Sequence, residues 1–440
     1  MSSIAVSPAP QPTGNMLVMF HPDRKPRDVE RLVSNVVGAK VVHSRDFRAD
    51  TPGIAEAFAD AGALNLDRLG IAVVKAPEDD GFSVAAETLR NRKEVVEVRP
   101  EFWMHMLAGW DDRYAAWVRD GLSLLADQAL RGVLPPPPGG IAAGPGVAVA
   151  SQLSATWGLA ATGVDRSSYT GVGIKVAVLD TGFDFTHPDF AGRSVVSKSF
   201  VPGEDVQDVQ GHGTHCIGTA CGPLSPAEQV RYGVAYEAEI YAGKVLGNNG
   251  SGAERWVLAG MEWAIEQKCE VISMSLGRAV QPGEAPDAFY ERAGEYALEN
   301  GSLIIAAAGN NSWRQYNDIK PVGSPANAPS IMAVAAVDAK MKVANFSCGG
   351  VNPAGGEVNI AGPGVDVLSS VPMPRKYDRF SGTSMATPHV AGIAALLAQS
   401  DKSLRGKALW TALEQGARNI GHPARDVGAG LVMAPGSACR

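Results

Sequence analysis

From residue 151 onward, short apolar runs alternate with longer amphipathic ones, and that alternation limits what the chain can become. Residues 174–179, 240–245, 271–276, 303–308 and 331–337 are apolar runs of strand length. Residues 213–220, 256–267, 288–300 and 390–398 read as helices between or after them. Strands with no polar face belong in a sheet covered on both sides, and strands separated by roughly 10–15-residue helices pair in parallel. The expectation for residues 151–440 is a doubly wound, mostly parallel α/β sheet. In such sheets, functional groups collect at the carboxyl ends of the strands.

The residues before 151 have a different texture. Residues 1–15 read as a disordered N-terminus. Residues 16–107 read as a smaller α+β domain, with strands at 17–20, 39–43, 69–74 and 95–98 and helices at 26–37 and 82–92. That order, β-α-β-β-α-β, is a ferredoxin-like pattern. Its histidines His43 and His105 stand alone and read as structural or exposed, and nothing in the unit carries chemistry. Residues 108–150 read as an amphipathic helix, with Tyr114, Trp117, Val118, Leu122 and Leu125 on one face, followed by a Pro/Gly linker.

Composition narrows the function. Apolar residues make up 45% of the chain and charged residues 19%, which suits a globular protein. The net charge is −7 and no basic block occurs, which argues against nucleic acid or an anionic membrane as partner. No run approaches the about 18 apolar residues of a membrane span. The start lacks a basic segment followed by an apolar one, so the chain as given reads as cytoplasmic, or as secreted if a signal has been removed. Five cysteines without a CxxC pair read as free thiols.

Four residues stand where such a sheet gathers its chemistry. Asp180 ends an apolar strand, where a carboxylate is costly unless bonded or paired. His212 opens a helix in Gly-His-Gly-Thr-His, with glycines leaving room beside the ring. Asn310 follows the 303–308 strand and offers an amide N–H. Ser384 lies in a glycine-framed turn before the apolar run 390–397. Taken singly, Asp180 reads equally as a strand-end cap, His212 as a helix-start residue and Ser384 as a helix cap. Together they are the orienting acid, general base, oxyanion donor and nucleophile of acyl transfer.

The segments 178–182, 211–216, 308–310 and 382–389 resemble the active-site blocks of the subtilases, the subtilisin-like serine proteases, over about residues 155–435. Cys216, after His-Gly-Thr-His, resembles the proteinase K branch, where it is a free thiol near the catalytic histidine. The resemblance implies that Ser384 attacks, His212 carries the proton, Asp180 holds the imidazole, and Asn310 with the Ser384 N–H binds the oxyanion. It implies substrate-pairing strands at Gly250, Ser251 and Gly252 and at Ser275, Leu276 and Gly277. A pocket wall is expected at Gly323. His215 and His389 are expected to be structural. Residues 16–107 resemble the subtilase propeptide, an intramolecular inhibitor, with autocleavage expected at Leu107–Ala108 or in the 134–150 linker.

The expected partners are a protein or peptide substrate and the chain's own propeptide. No cofactor is required; calcium is left open, because residues 222–233 lack the family's Asn/Asp ligands and Asn359 replaces a carboxylate. The expected function is a self-inhibited endopeptidase that processes itself. A dedicated maturation protease for one partner peptide and a catalytically silent peptide-binding protein are the alternatives.

Overall fold

The computed structural model of the chain describes residues 10–47, 54–75, 81–107 and 154–436. The expected helix and linker of residues 108–150 lie outside the described residues.

The N-terminal unit contains strands β1 (Pro12–Phe20), β2 (Lys40–His43), β3 (Gly62–Leu66), β4 (Ile71–Lys75) and β5 (Val95–Met106). They lie in the order β5-β1-β4-β3-β2. Helices Pro26–Val37 and Gly81–Arg90 fall where periodicity places them. The ferredoxin-like pattern needs one correction. An additional helix, Ile54–Ala61, joins β2 to a parallel β3 at the sheet edge. That helix of 8 residues runs straight into the 5-residue Gly-Ala-Leu-Asn-Leu strand, with no turn residues between them to mark two elements. A second correction concerns residues 1–15, since β1 already begins at Pro12. Its polar start is held from far along the chain, by Thr13 Oγ1 and Asn15 Nδ2 donating to Glu101.

The larger unit is built on β6 (Lys175–Asp180), β7 (Val195–Ser199), β8 (Glu239–Lys244), β9 (Ser251–Ala253), β10 (Val271–Met274), β11 (Leu276–Gly277), β12 (Leu303–Ala307), β13 (Met332–Val337) and β14 (Ile360–Pro363). Seven of these strands form a parallel sheet in the order β14-β13-β12-β10-β6-β8-β7. Alternate residues of β6 face opposite layers, as strand geometry requires. Val176 and Val178 meet the helices His212–Cys221 and Thr383–Ser400, while Ala177 and Leu179 meet Glu254–Glu266. A hairpin, β15 (Val367–Ser370) with β16 (Tyr377–Phe380), packs beside the His212 helix. The last long helix begins earlier than the apolar run implies. It starts at Thr383 and passes through Pro388, so Ser384 lies in its first turn.

The two units share one core. β1 turns Met16, Val18 and Phe20 toward its own helices and Leu17 and Met19 toward the larger unit. Leu64, Leu66, Ile71, Val73 and Met104 join Leu17 and Met19 in a cluster with Val257, Met261 and Phe289. The N-terminal sheet also continues across the boundary, because β5 pairs antiparallel with both β9 and β11.

Candidate active site

The carboxyl end of β6 delivers Asp180 into the interior, where it is 0% exposed. Thr181 N donates to Asp180 Oδ1 at 2.8 Å, and His212 Nδ1 lies 2.8 Å from the same oxygen. His212 is the first residue of its helix. The N-terminus of that helix is fixed by a second buried carboxylate, Asp208. Asp208 Oδ1 accepts from Gly211 N at 2.9 Å and from Thr181 Oγ1 at 3.0 Å, and Oδ2 accepts from Thr214 N at 2.8 Å. Asp208 thus ties the helix start to the residue after Asp180. Gly213 has a related reason. A Cβ there would come within 2.3 Å of the Gly182 carbonyl oxygen, so its missing side chain admits the strand end rather than a substrate.

Burial works against a charge on His212, but the Asp180 carboxylate 2.8 Å away outweighs it and holds the imidazole well above the ordinary histidine range. Cys216 Sγ lies 3.9 Å from His212 Nδ1 and 3.7 Å from Ser384 O. Burial pushes its thiol up, so it stays protonated. His215 stacks on Phe380 with ring centroids 4.4 Å apart, and its Nε2 lies 2.9 Å from Val367 O. His389 Nδ1 lies 2.8 Å from Met385 O inside its own helix.

The tail of the N-terminal unit fills the cleft in front of these groups. Met104 and His105 pair with Gly252 and Ser251 on one side, and His105 and Met106 pair with Gly277 and Leu276 on the other. Met106 N donates to Gly250 O at 2.9 Å, and Leu107 N to Ser275 O at 3.3 Å. The chain is therefore held as an added strand, by main-chain hydrogen bonds that do not depend on side-chain identity. His105 Nδ1 also meets Ser251 Oγ at 2.9 Å.

At the end of that strand, the Leu107 carbonyl oxygen lies 2.8 Å from Ser384 Oγ and 2.5 Å from Asn310 Nδ2. Asn310 Oδ1 accepts from Thr383 N at 2.9 Å and Thr383 Oγ1 at 2.8 Å, which aims its N–H₂ into the cleft. The Ser384 hydroxyl also meets Ser275 O at 3.0 Å, and His212 Nε2 has no partner among the described residues. The serine hydroxyl is thus turned toward the tail carbonyl rather than the imidazole. Leu107 rests against Gly277, whose Cβ would come 3.3 Å from Leu107 Cδ1. Gly323 stands behind, its open side filled by the Arg278 carbonyl, and the Arg278–Ser324 bridge joins the two wall segments. Ala108 lies outside the described residues.

Asp180, His212 and Cys216 place donor atoms within 4.8 Å of one another, close enough for a metal ion, although the Asp180–His212 hydrogen bond already uses two of them. The residues of the two segments weighed for calcium carry other contacts. Asn359 Oδ1 accepts from Ala333 N at 2.7 Å. In residues 222–233 the exposed Glu228 is ion-paired with Lys376.

Sequence reasoning missed the polar groups that grip the tail. Arg99 and Glu101 of β5 meet Glu254, Arg255 and Asp287 of the larger unit. The alternating charges of Arg99-Pro-Glu101 are a signal, but their partners lie more than 150 positions away.

Comparison with known proteins places these features. The subtilase family profile matches residues 171–430. Subtilisin E of Bacillus subtilis (strain 168) is 39% identical over 264 residues, covering 60% of this chain and 65% of its own length. M-protease of Shouchella clausii (strain KSM-K16) is 40% identical over 285 residues, covering 64% of this chain and 69% of its own. Subtilisin Savinase of Lederbergia lenta is 40% identical over 285 residues, covering 64% of this chain and 97% of its own.

Proposed function

The chain belongs to the subtilase family, and from that premise we propose that it is a serine endopeptidase held closed by its own N-terminal unit. One observation carries the proposal. The Leu107 carbonyl sits between the Ser384 hydroxyl and the Asn310 amide, at the end of a strand paired on both sides.

In the proposed reaction Ser384 Oγ bonds to the Leu107 carbonyl carbon after turning toward His212. His212 Nε2, which has no partner among the described residues, takes the serine proton and passes it to the leaving amine of Ala108. Asp180 keeps the Nδ1–H aimed and stabilises the imidazolium. Asn310, joined by the Ser384 N–H, binds the oxyanion. Water then releases Leu107 from the acyl-enzyme. The same steps would serve a protein substrate after the N-terminal unit departs. No step passes through a metal.

Comparing wild-type protein with Ser384→Ala tests this. Wild type should shorten to a form that begins at Ala108 and labels with a fluorophosphonate. Ser384→Ala should stay at 45.9 kDa and unlabelled. Unlabelled, full-length wild type at every pH would leave a peptide-binding protein as the better reading. A random peptide library separates a general from a dedicated protease, since broad cleavage rules out the latter.

A further inference from the structure

Upstream of Met104 the tail runs over the starts of two helices, Glu254–Glu266 and Ala288–Glu299. Arg99 Nη1 lies 2.7 Å from Glu254 Oε2, and Arg99 Nη2 lies 2.6 Å from Asp287 Oδ2. Phe102 N donates to Glu254 Oε2 at 2.8 Å. The next pair has the opposite polarity. Glu101 Oε1 accepts from Arg255 N at 2.8 Å, and Oε2 from Arg255 Nη1 at 2.6 Å. The Phe102 ring lies near two guanidinium groups, 5.5 Å from that of Arg99 and 5.3 Å from that of Arg278. Trp103 meets Trp256 edge to face, with centroids 5.8 Å apart.

Acids at helix starts are ordinary, because they complement the helix dipole and cap free N–H groups. Asp287 fits that account, accepting from Phe289 N at 2.9 Å. Glu254 does not. It is 0% exposed, and among the described residues every hydrogen bond to its carboxylate comes from the tail, from Arg99 and Phe102. Arg255 likewise finds its carboxylate in Glu101. The larger unit thus presents two acids, two bases and an indole in an order that Arg99, Glu101, Phe102 and Trp103 complement. Strand pairing nearer the scissile bond reads main chain; these contacts read side chains.

We propose that this surface is an extended recognition site. Once vacated, it selects polypeptides carrying a basic, an acidic and two aromatic residues at the spacing of Arg99, Glu101, Phe102 and Trp103 ahead of the cleaved bond. Its use on substrates rests on the endopeptidase reading, whereas its grip on the tail does not. A buried charge that loses its partner is strongly disfavoured, so truncating one side of a pair should be felt far more than truncating both.

Two measurements test the proposal. The first uses the full chain carrying Ser384→Ala, which cannot cut itself, and follows amide hydrogen exchange along β5. Arg99→Met and Glu254→Gln should each speed exchange at least tenfold, and the double variant should exchange no faster than the faster single one. Effects that simply multiply would overturn the pairing. The second compares hydrolysis of synthetic peptides reproducing residues 98–111 and 103–111 by the activated wild-type chain. The longer peptide should show at least tenfold higher kcat/KM and lose that advantage when it carries Arg99→Ala and Glu101→Ala. Equal cleavage of both peptides would overturn substrate selection while leaving the peptidase reading intact. If neither is cleaved, the peptidase reading fails, and the exchange measurement still decides whether the surface grips by paired charge.

Discussion

At the scale of single residues, the site is a set of polar groups whose orientation is fixed by neighbours. Asn310 is aimed by Thr383 and reaches the Leu107 carbonyl. Asn310→Ala should therefore lower kcat with little change in KM. The expected loss is about 10²–10³-fold, the size known for removal of the corresponding donor in subtilisin, and steady-state kinetics on the matured form would read it. A second prediction concerns the histidines outside the proposed triad. Burial pushes His389 down to about 4, and burial followed by the charge of His212 pushes His215 down to about 3. Both are neutral in the fold and ordinary in the unfolded chain, which takes up more protons below about pH 6.5. The stability they contribute is full above that pH and is lost as acid is added toward pH 4. For His389 the loss amounts to roughly 3 kcal/mol. Denaturant unfolding of the Ser384→Ala chain from pH 7 to 4 should show it, and adding His389→Gln should flatten the slope.

At the scale of elements, the His212 helix and β6 must approach closely enough for one hydrogen bond to join their ends. Gly213 permits this, because any Cβ would strike the Gly182 carbonyl oxygen at 2.3 Å. Gly213→Ala should push the helix start away from Asp180. A displacement on the order of 1 Å costs about 10²-fold in rate, and overpacking costs about 1–3 kcal/mol of stability. Turnover and denaturant midpoint, measured together, would separate the two effects. The parallel strands were legible as apolar runs because both their faces are covered. The extra pair, Ile54–Ala61 and Gly62–Leu66, was not, because the two elements are only 8 and 5 residues long and adjoin with no turn between them. The start of the Ser384 helix was hidden by Pro388, which ends most helices but lies within this one.

At the scale of the whole molecule, the N-terminal sheet has one face covered by its own helices and the other by the larger unit. Glu262 lies beneath that contact, 2% exposed, accepting from Arg68 N at 2.7 Å. Burial pushes its carboxyl up to about 7, against hydrogen bonds from Ser44 and Arg68 that pull it down. It keeps its proton in the closed chain and gives it up when opened. Its contribution to the closed state is full below the ordinary carboxyl pKa and is lost as pH rises toward 7. Glu262→Gln, placed on the Ser384→Ala chain, should remove this loss. Its stability relative to the parent should rise between pH 5 and 7.5 by up to roughly 3 kcal/mol, read from denaturant unfolding at each pH.

Local pattern was enough to place the parallel sheet and to set Asp180, His212, Asn310 and Ser384 at strand ends and helix starts, while the family resemblance joined them into one expected site. The contact of Leu107 with Ser384 and Asn310 depends on how the two units dock. So do the pairings of Arg99 with Glu254 and of Glu101 with Arg255. Residues so far apart in the chain leave no local periodicity to mark their meeting. A charge pair becomes specific only when folding removes both members from water, and that burial is a property of the packed molecule.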